Sequence, residues 1–208
     1  MGKKRLKVAT VLSVLALGSI TLVQAPSATA ATGTIPLSQV LNIANPALDG
    51  NWNDFDILTG AINFVLKEKP TSAVAVLADG SVALTAFAPT DRAFRNLVKA
   101  LNGKFPYTEA ATLGALAKLG ATTIEKVLLY HVIVGDPITS DIAITANGAA
   151  LKMAQTESVT VKVLGKRIYL QDIGLPAITP KVIMSGVDLN LGNKQIAHAI
   201  DAVLIPTL

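Results

Sequence analysis

The chain has no cysteine among its 208 residues, which excludes disulfides, thiolate nucleophiles, thiolate metal sites and lipid attachment through a cysteine. Histidine is nearly as scarce. His131 and His198 are the only two, so a three-histidine zinc site cannot be built within one chain. Charged residues make up only 15% of the chain and apolar residues 51%, so the packing of a hydrophobic core must supply the stability.

Sequence signatures of catalysis are also missing. The chain has no Gly-x-Ser-x-Gly elbow, no paired-histidine zinc motif, no phosphate-binding loop and no glycine-rich dinucleotide fingerprint. Since no pairing of a nucleophile with a base can be discerned, we predict a protein that is not an enzyme and that needs no cofactor.

One stretch has the alternating oxygen side chains of a calcium loop, with Asp49, Asn51 and Asn53 in register. Such a loop needs glycine at its sixth position and glutamate at its twelfth, where this chain has Asp54 and Gly60. The sequence therefore predicts turn formers and a helix cap here, with Asp54 or Asp56 as the cap, and no metal site.

The net charge of +4 belongs to the first seven residues, where Lys3, Lys4, Arg5 and Lys7 stand without any acid before Asp49. The rest of the chain has 14 basic and 14 acidic residues and is formally neutral. Nucleic-acid binding depends on clustered lysine and arginine, so we expect no nucleic-acid partner.

Residues 1–30 are predicted to be a secretory signal peptide, with a basic start, an apolar run over 8–23 and the small-residue site Ala28-Thr29-Ala30. We expect cleavage after Ala30. The apolar run is shorter than the roughly 20 residues that a spanning helix needs, and no second long run follows. The product is expected to be secreted or extracellular, or periplasmic or surface-associated, without stable membrane insertion.

Helical patterns dominate the first half of the predicted domain, residues 52–208, which follows an N-terminal spacer over 31–51 with room for one short helix. Apolar spacing predicts a helix from about Phe55 to Leu66, and a strand is expected over 82–87. Further helices are predicted over 108–119 and after two cap positions, Thr90 and the capping box of Thr122 with Glu125.

Strand patterns dominate the second half. Residues 159–164 and 167–170 flank Gly165-Lys166, which predicts a hairpin with a type II′ turn. The other strand candidates are 132–134, 138–140, 142–145, 149–153, 178–184 and 195–205. Helices first and strands later indicate an α+β fold rather than alternating βαβ units.

Three segments in order resemble the signatures of the fasciclin domain family. Residues 85–94 contain Phe-Ala-Pro-Thr followed by Asp and, three residues later, Phe; residues 129–133 read Leu-Tyr-His-Val-Ile. Residues 196–206 resemble the closing signature, in which apolar-His-apolar-Ile-Asp leads into Val-Leu-x-Pro. One departure is a helix-like segment over 103–120 that lengthens the region between the first two signatures.

The resemblance implies a wedge-shaped β-sandwich with helices packed against it. Thr90, Asp91 and His198 would be structural signature residues. Strand alternation places His198 on one face with Ile196 and Ile200, so we expect a buried, neutral ring. We also expect this ring to form a hydrogen bond with the cap region at Thr90 or Asp91, which would join the first and last signatures.

The resemblance further implies a secreted adhesion or matrix-interaction module whose partner is a cell-surface protein or polysaccharide. Two family patches linked with recognition correspond to Tyr130 with His131 and to Asp188 with Leu189, although each of these side chains can also serve the fold. The alternative is an extracellular carrier of a small hydrophobic, glycan or haem-like ligand, with Tyr130, His131 or His198 as polar contacts.

Overall fold

The computed structural model describes residues 31–42, 46–173 and 179–207, so the predicted signal peptide lies outside the described residues. None of the helices in these ranges is long and apolar enough to span a bilayer. Short 3₁₀ turns occupy Ala73–Ala78 and Met184–Gly186. The α-helices are α1 (Leu37–Val40), α2 (Asp56–Glu68), α3 (Asp91–Asn102), α4 (Glu109–Ala117), α5 (Ala121–Leu129) and α6 (Ser140–Ala143).

Within the described residues, six strands form two three-stranded sheets. They are β1 (Leu84–Pro89), β2 (Val132–Val134), β3 (Ala150–Lys152), β4 (Ser158–Leu164), β5 (Arg167–Gln171) and β6 (Gln195–Ile200). In the first sheet, β1 lies between antiparallel β2 and parallel β6. The second sheet is the antiparallel meander β3-β4-β5, in which Gly165 has φ 61° at the predicted hairpin turn.

The first sheet separates two hydrophobic cores because neighbouring side chains on a strand point to opposite faces. Ala86 and Ala197 pack into a core shared with helices α2 to α5, whereas Phe87 and Ile200 pack into a second core shared with the β3-β4-β5 sheet. This arrangement confirms the predicted α+β class. It contains two small sheets and is not a clear β-sandwich.

Two strand predictions were wrong. Residues 138–140 and 142–145 form no strand, and α6 occupies Ser140–Ala143 instead. The Asp188 carboxylate holds the start of this helix by accepting hydrogen bonds from the backbone and hydroxyl groups of Ser140. Within 179–184, only isolated bridges form, at Lys181 and Val182.

The predicted capping box was also wrong. Helix α5 begins at Ala121 after Gly120, whose φ of 81° lies in the left-handed region that favours glycine. Glu125 reaches away from its own helix and pairs with Lys69 and Ser72. Local spacing predicted that Glu125 caps its own helix, but its carboxylate binds Lys69 at the end of α2 instead.

The described part of the predicted spacer packs against the domain. Leu37 of α1 is fully buried in the first core, and its backbone N–H donates to Oε1 of Gln195, 2.8 Å away. The Gln195 Nε2 group in turn donates to the carbonyls of Val76 and Asp79. One buried amide therefore joins α1, the Ala73–Ala78 turn and β6.

Candidate functional site

Tyr130 is fully buried in the second core, directly after the end of α5. Its hydroxyl donates to the carbonyl of Ser158 over 3.3 Å. Burial, helped by the negative charges of Asp172 and Glu157, raises the pKa of Tyr130 to about 12. The ring therefore fills the core as a neutral phenol.

His131 is buried as well, and both ring nitrogens have partners. Nδ1 lies 2.7 Å from the carbonyl of Val127, and Nε2 accepts a hydrogen bond from the backbone N–H of Leu204 at 2.9 Å. Because a backbone N–H can only donate, Nδ1 must carry the proton that is given to Val127. Burial lowers the pKa of His131 to about 4 against the opposing effect of the Val127 carbonyl.

His198 is buried, but its predicted hydrogen bond with Thr90 or Asp91 was wrong. Nδ1 accepts from the backbone N–H of Asp188 at 3.2 Å, and Nε2 lies 2.8 Å from the Ile138 carbonyl. The reason is register: His198 lies opposite Phe87, short of the cap that follows β1. Burial lowers the pKa of His198, although the Ile138 carbonyl and Asp188 act in the opposite direction.

The second predicted patch also has structural contacts. Asp188 has a left-handed φ of 54°, and both of its carboxylate oxygens accept from Ser140. Leu189 is half-buried against the first core and forms a bridge with Ala197. The partner-binding role of Tyr130, His131, Asp188 and Leu189 stays a prediction.

Thr90 occupies the predicted N-cap position of α3, but its side chain forms no capping hydrogen bond. The neighbouring Asp91 instead caps α2, since its Oδ1 accepts from the backbone N–H of Ile57 at 2.9 Å. The prediction that Asp54 or Asp56 caps this helix was therefore wrong.

Four carboxylates meet at this junction and share one pattern. Each has one oxygen that accepts a hydrogen bond and one buried oxygen that no N–H or hydroxyl group of the described residues reaches. The hydrogen-bond donors are Asn51 Nδ2 to Asp54, Ala47 N to Asp56, Ile57 N to Asp91 and Gly50 N to Glu109. Sequence reasoning missed this cluster.

The electrostatics of the cluster follow from burial and like charge. Asp91 is 0% exposed and Glu109 2% exposed. Burial, then a side-chain hydrogen bond with Asp54 and the negative charges of Asp54 and Glu109, raises the pKa of Asp91 to about 8, against the N–H of Ile57. Burial, followed by the charges of Asp54, Asp56 and Asp49, raises the pKa of Glu109.

Comparison with known proteins agrees with the three signatures. A family model described as the fasciclin domain matches residues 62–206, which is more than half of the chain. The chain belongs to the fasciclin domain family. Such domains are adhesion-related, generally extracellular or surface modules and are typically non-enzymatic. No curated protein matches this fasciclin chain.

Seventeen solved chains match in structure. Among them is a FAS1 domain pair from the insect cell adhesion molecule fasciclin I, with a TM-score of 0.53 and 14% sequence identity. The match covers 73% of the fasciclin chain described here and 47% of the solved chain, so this chain spans about half the length of that relative. At such low identity the likeness shows the fold alone.

The surface of this fasciclin domain carries an aromatic–basic patch, which we define as Arg95, Lys99, Phe105 and Tyr107. The Arg95 guanidinium lies 5.2 Å from the Phe105 ring centroid and 4.3 Å from that of Trp52, while Lys99 Nζ lies 4.4 Å from the Phe105 ring. Arg95 Nε also donates to the Pro106 carbonyl. The Tyr107 side chain is 93% exposed.

A hollow of about 360 Å³ lies among α2, α4 and α5. Its lining residues share an apolar character: Leu48, Ala61, Phe64, Ala110, Leu113, Gly114, Ala117 and Ile124. The volume falls at the lower end of the range typical of small-molecule pockets. This fasciclin domain therefore offers an open aromatic–basic surface and a separate apolar recess.

Proposed function

We propose that this chain is exported and acts as an adhesion or matrix-interaction module that binds a partner at the cell surface. Family membership supports the class, and the fold neighbour comes from a cell adhesion molecule. The observation that carries the proposal is the aromatic–basic patch. It combines an almost fully exposed tyrosine with a phenylalanine whose ring lies within 5.2 Å of two cationic groups.

The composition of the patch favours a protein partner. Tyrosine, tryptophan and arginine dominate the residues that carry binding energy at protein interfaces. Here Arg95 is held over Trp52 and fixed to the Pro106 carbonyl, so little side-chain freedom remains to be lost on binding. The patch is therefore organised before a partner arrives.

Charge indicates the chemistry of that partner. Arg92, Arg95, Lys99 and Lys104 follow one another along α3 and the next loop, and the acid in this stretch, Asp91, is buried. A complementary surface would be acidic with an apolar centre, since opposite potentials speed encounter and fix orientation. We propose that the partner binds at the aromatic–basic patch rather than at Tyr130 and His131, because these two residues are buried.

The test is the binding of labelled protein to cells of the source organism, with and without protease treatment of those cells. We expect Tyr107→Ala to weaken binding about tenfold or more, as for an interface hot spot. Leu191→Ala, at another exposed apolar side chain, should leave binding unchanged. Lys99→Ser should reduce the salt dependence of binding, whereas Lys152→Ser should not.

Equal binding by Tyr107→Ala and the unsubstituted protein would contradict the proposed contact. Loss of binding after glycosidase treatment, with protease treatment having no effect, would assign the partner to polysaccharide instead. Catalysis forms no part of the proposal. Both histidines already use both ring nitrogens in hydrogen bonds, so neither stands ready as a base.

The apolar hollow favours a second candidate function, the transport of a small apolar molecule. A haem-like ligand does not fit the histidines, because no ring nitrogen is left to bind iron. The hollow can be filled at Gly114, where an added Cβ would meet no atom of the described residues within 4 Å. Gly114→Leu should abolish binding of a fluorescent fatty acid without loss of stability, and unchanged binding would exclude the hollow as the ligand site.

A further inference from the structure

Three helices begin at the carboxylate cluster. Asp56, Asp91 and Glu109 are the first residues of α2, α3 and α4, and Asp54 lies between them. One oxygen each of Asp54, Asp91 and Glu109 can be chosen so that all three lie within 4.8 Å of one another. Calcium binds oxygen at about 2.3–2.6 Å, so ligands on opposite sides of one ion stand about 4.6–5.2 Å apart.

The unpartnered oxygens distinguish this cluster from an ordinary acidic surface. Glu109 is almost wholly buried, yet its Oε1 has no hydrogen-bond partner among the described residues. No N–H or hydroxyl group of the described residues reaches Oδ2 of the equally buried Asp91, Oδ1 of Asp54 or Oδ2 of Asp56, so Asp91 and Asp54 can satisfy each other only by sharing a proton. A buried polar atom without a partner is costly, and an ion is one of the few groups that can satisfy several such atoms together.

Helix dipoles offset only part of the charge. Each helix N-terminus is equivalent to about half a positive charge, so three of them supply about +1.5 against four carboxylates. Within the described ranges, no lysine, arginine or histidine forms an ion pair with any of the four. With all four carboxylates ionised, as they would be around a cation, the remaining charge of about −2.5 is close to what a divalent cation would neutralise.

We propose that Asp54, Asp91 and Glu109, with Asp56 beside them, bind one hard divalent cation of the calcium type. Oxygen-only ligands are the set that calcium and magnesium prefer, and the chain has no thiolate that would favour a softer metal. Unlike a calcium loop of consecutive residues, this site takes its ligands from one loop and two or three helix starts.

The cation would fasten the segment 47–57 to the rest of the domain. One oxygen of each carboxylate already accepts a hydrogen bond from this segment, and the donors belong to Ala47, Gly50, Asn51 and Ile57. Trp52 lies in the same segment, and Arg95 is stacked on its ring. The site therefore adjoins the aromatic–basic patch, although it does not depend on the proposed function of that patch.

Terbium, which substitutes for calcium, provides a direct probe because Trp52 is the only tryptophan of the chain. Excitation of Trp52 should sensitise terbium luminescence with one ion bound per chain, and calcium should displace it. Magnesium in a parallel competition distinguishes the two cations. Thermal unfolding in about 2 mM calcium, which exceeds the dissociation constants of roughly 0.1–1 mM of extracellular calcium modules, should occur at a higher temperature than in chelator.

Asp91→Asn and Glu109→Gln test the ligands. Each keeps an oxygen for its backbone donor but loses one negative charge, so we expect terbium affinity to fall about tenfold or more. Asp136→Asn and Glu68→Gln remove the same charges at exposed positions and should bind as the unsubstituted protein does. Circular dichroism checks that each variant is folded.

No sensitised luminescence and no thermal shift with either cation would overturn the proposal. So would luminescence that persists unchanged in both Asp91→Asn and Glu109→Gln, since the ion would then lie elsewhere. If one of these variants fails to fold, the other decides the result.

Discussion

The buried histidines and the buried carboxylates of this domain differ in how completely their polar atoms are satisfied. His131 and His198 each use both ring nitrogens in hydrogen bonds with backbone groups. Asp91 and Glu109 are equally buried, yet each leaves one oxygen that no N–H or hydroxyl group of the described residues reaches. A polar group whose hydrogen bonds are all formed gains nothing from a ligand. A buried polar atom without a hydrogen bond gains most, so a ligand is expected to bind there.

The contrast predicts opposite responses to substitution. Removing a histidine side chain leaves its backbone partners buried without hydrogen bonds and lowers stability. Replacing a carboxylate of the cluster by an amide relieves repulsion and the cost of desolvation, and should raise stability when no cation is present.

The largest effect is expected at Tyr130, which is fully buried beside His131. Tyr130→Ala should lower the free energy of unfolding by about 3–5 kcal/mol, because it removes a large ring from a packed core. Tyr130→Phe keeps the ring and should cost only about 1 kcal/mol for the lost hydrogen bond. Urea denaturation measures both, and a small loss for Tyr130→Ala would contradict the structural role.

A smaller effect concerns the pH dependence at His131, whose pKa is lowered to about 4 from its ordinary value of 6.5. Between these values the unfolded chain binds the proton more readily, so stability should fall as pH drops from 6.5 to 4. The whole loss of folding stability from this histidine is about 3 kcal/mol. Above pH 6.5 none of it is lost, because the ring is neutral in both the folded and the unfolded state.

His131→Gln removes the titrating ring and retains one donor and one acceptor. Its stability should therefore change less over this pH range than that of the unsubstituted protein. Denaturant midpoints measured across the range give the comparison. Parallel curves for the two proteins would show that His131 is not held neutral by the fold.

The smallest of the three effects has the opposite sign. In chelator at neutral pH, Asp91→Asn should raise the free energy of unfolding by about 1–2 kcal/mol, since the amide can be buried without first binding a proton and can still cap α2 through its oxygen. Asp136→Asn, on the exposed surface, should change little. A marked loss of stability in Asp91→Asn would mean that burying this carboxyl group has no net cost in the folded protein.

The sequence carried enough local information for much of the fold. Helical spacing predicted α2 and α3, Thr108 accepts from Ala111 N at the start of α4, and Gly165-Lys166 marks the β4-β5 turn. The alternation along β6 placed His198 inside. Each of these signals lies within a few residues of the element that it specifies.

The misses share a physical cause, which is the long reach of polar side chains. Asp188 fixes the start of α6 from 48 positions away, and Asp91 caps α2 from 34 positions away. Glu109 accepts from Gly50 across 59 positions. No local sequence pattern encodes such contacts. The carboxylate cluster therefore follows only from the three-dimensional fold, which brings the first turns of three helices together.

The most direct test of the central claim is a pair of crystal structures, grown in calcium and in chelator. We predict one calcium peak among Asp54, Asp91 and Glu109, at about 2.3–2.6 Å from their free oxygens, that is missing in chelator. The contradicting result is the same arrangement in both crystals, with no ion and with the Asp91 and Asp54 carboxyl groups hydrogen-bonded to each other through a shared proton.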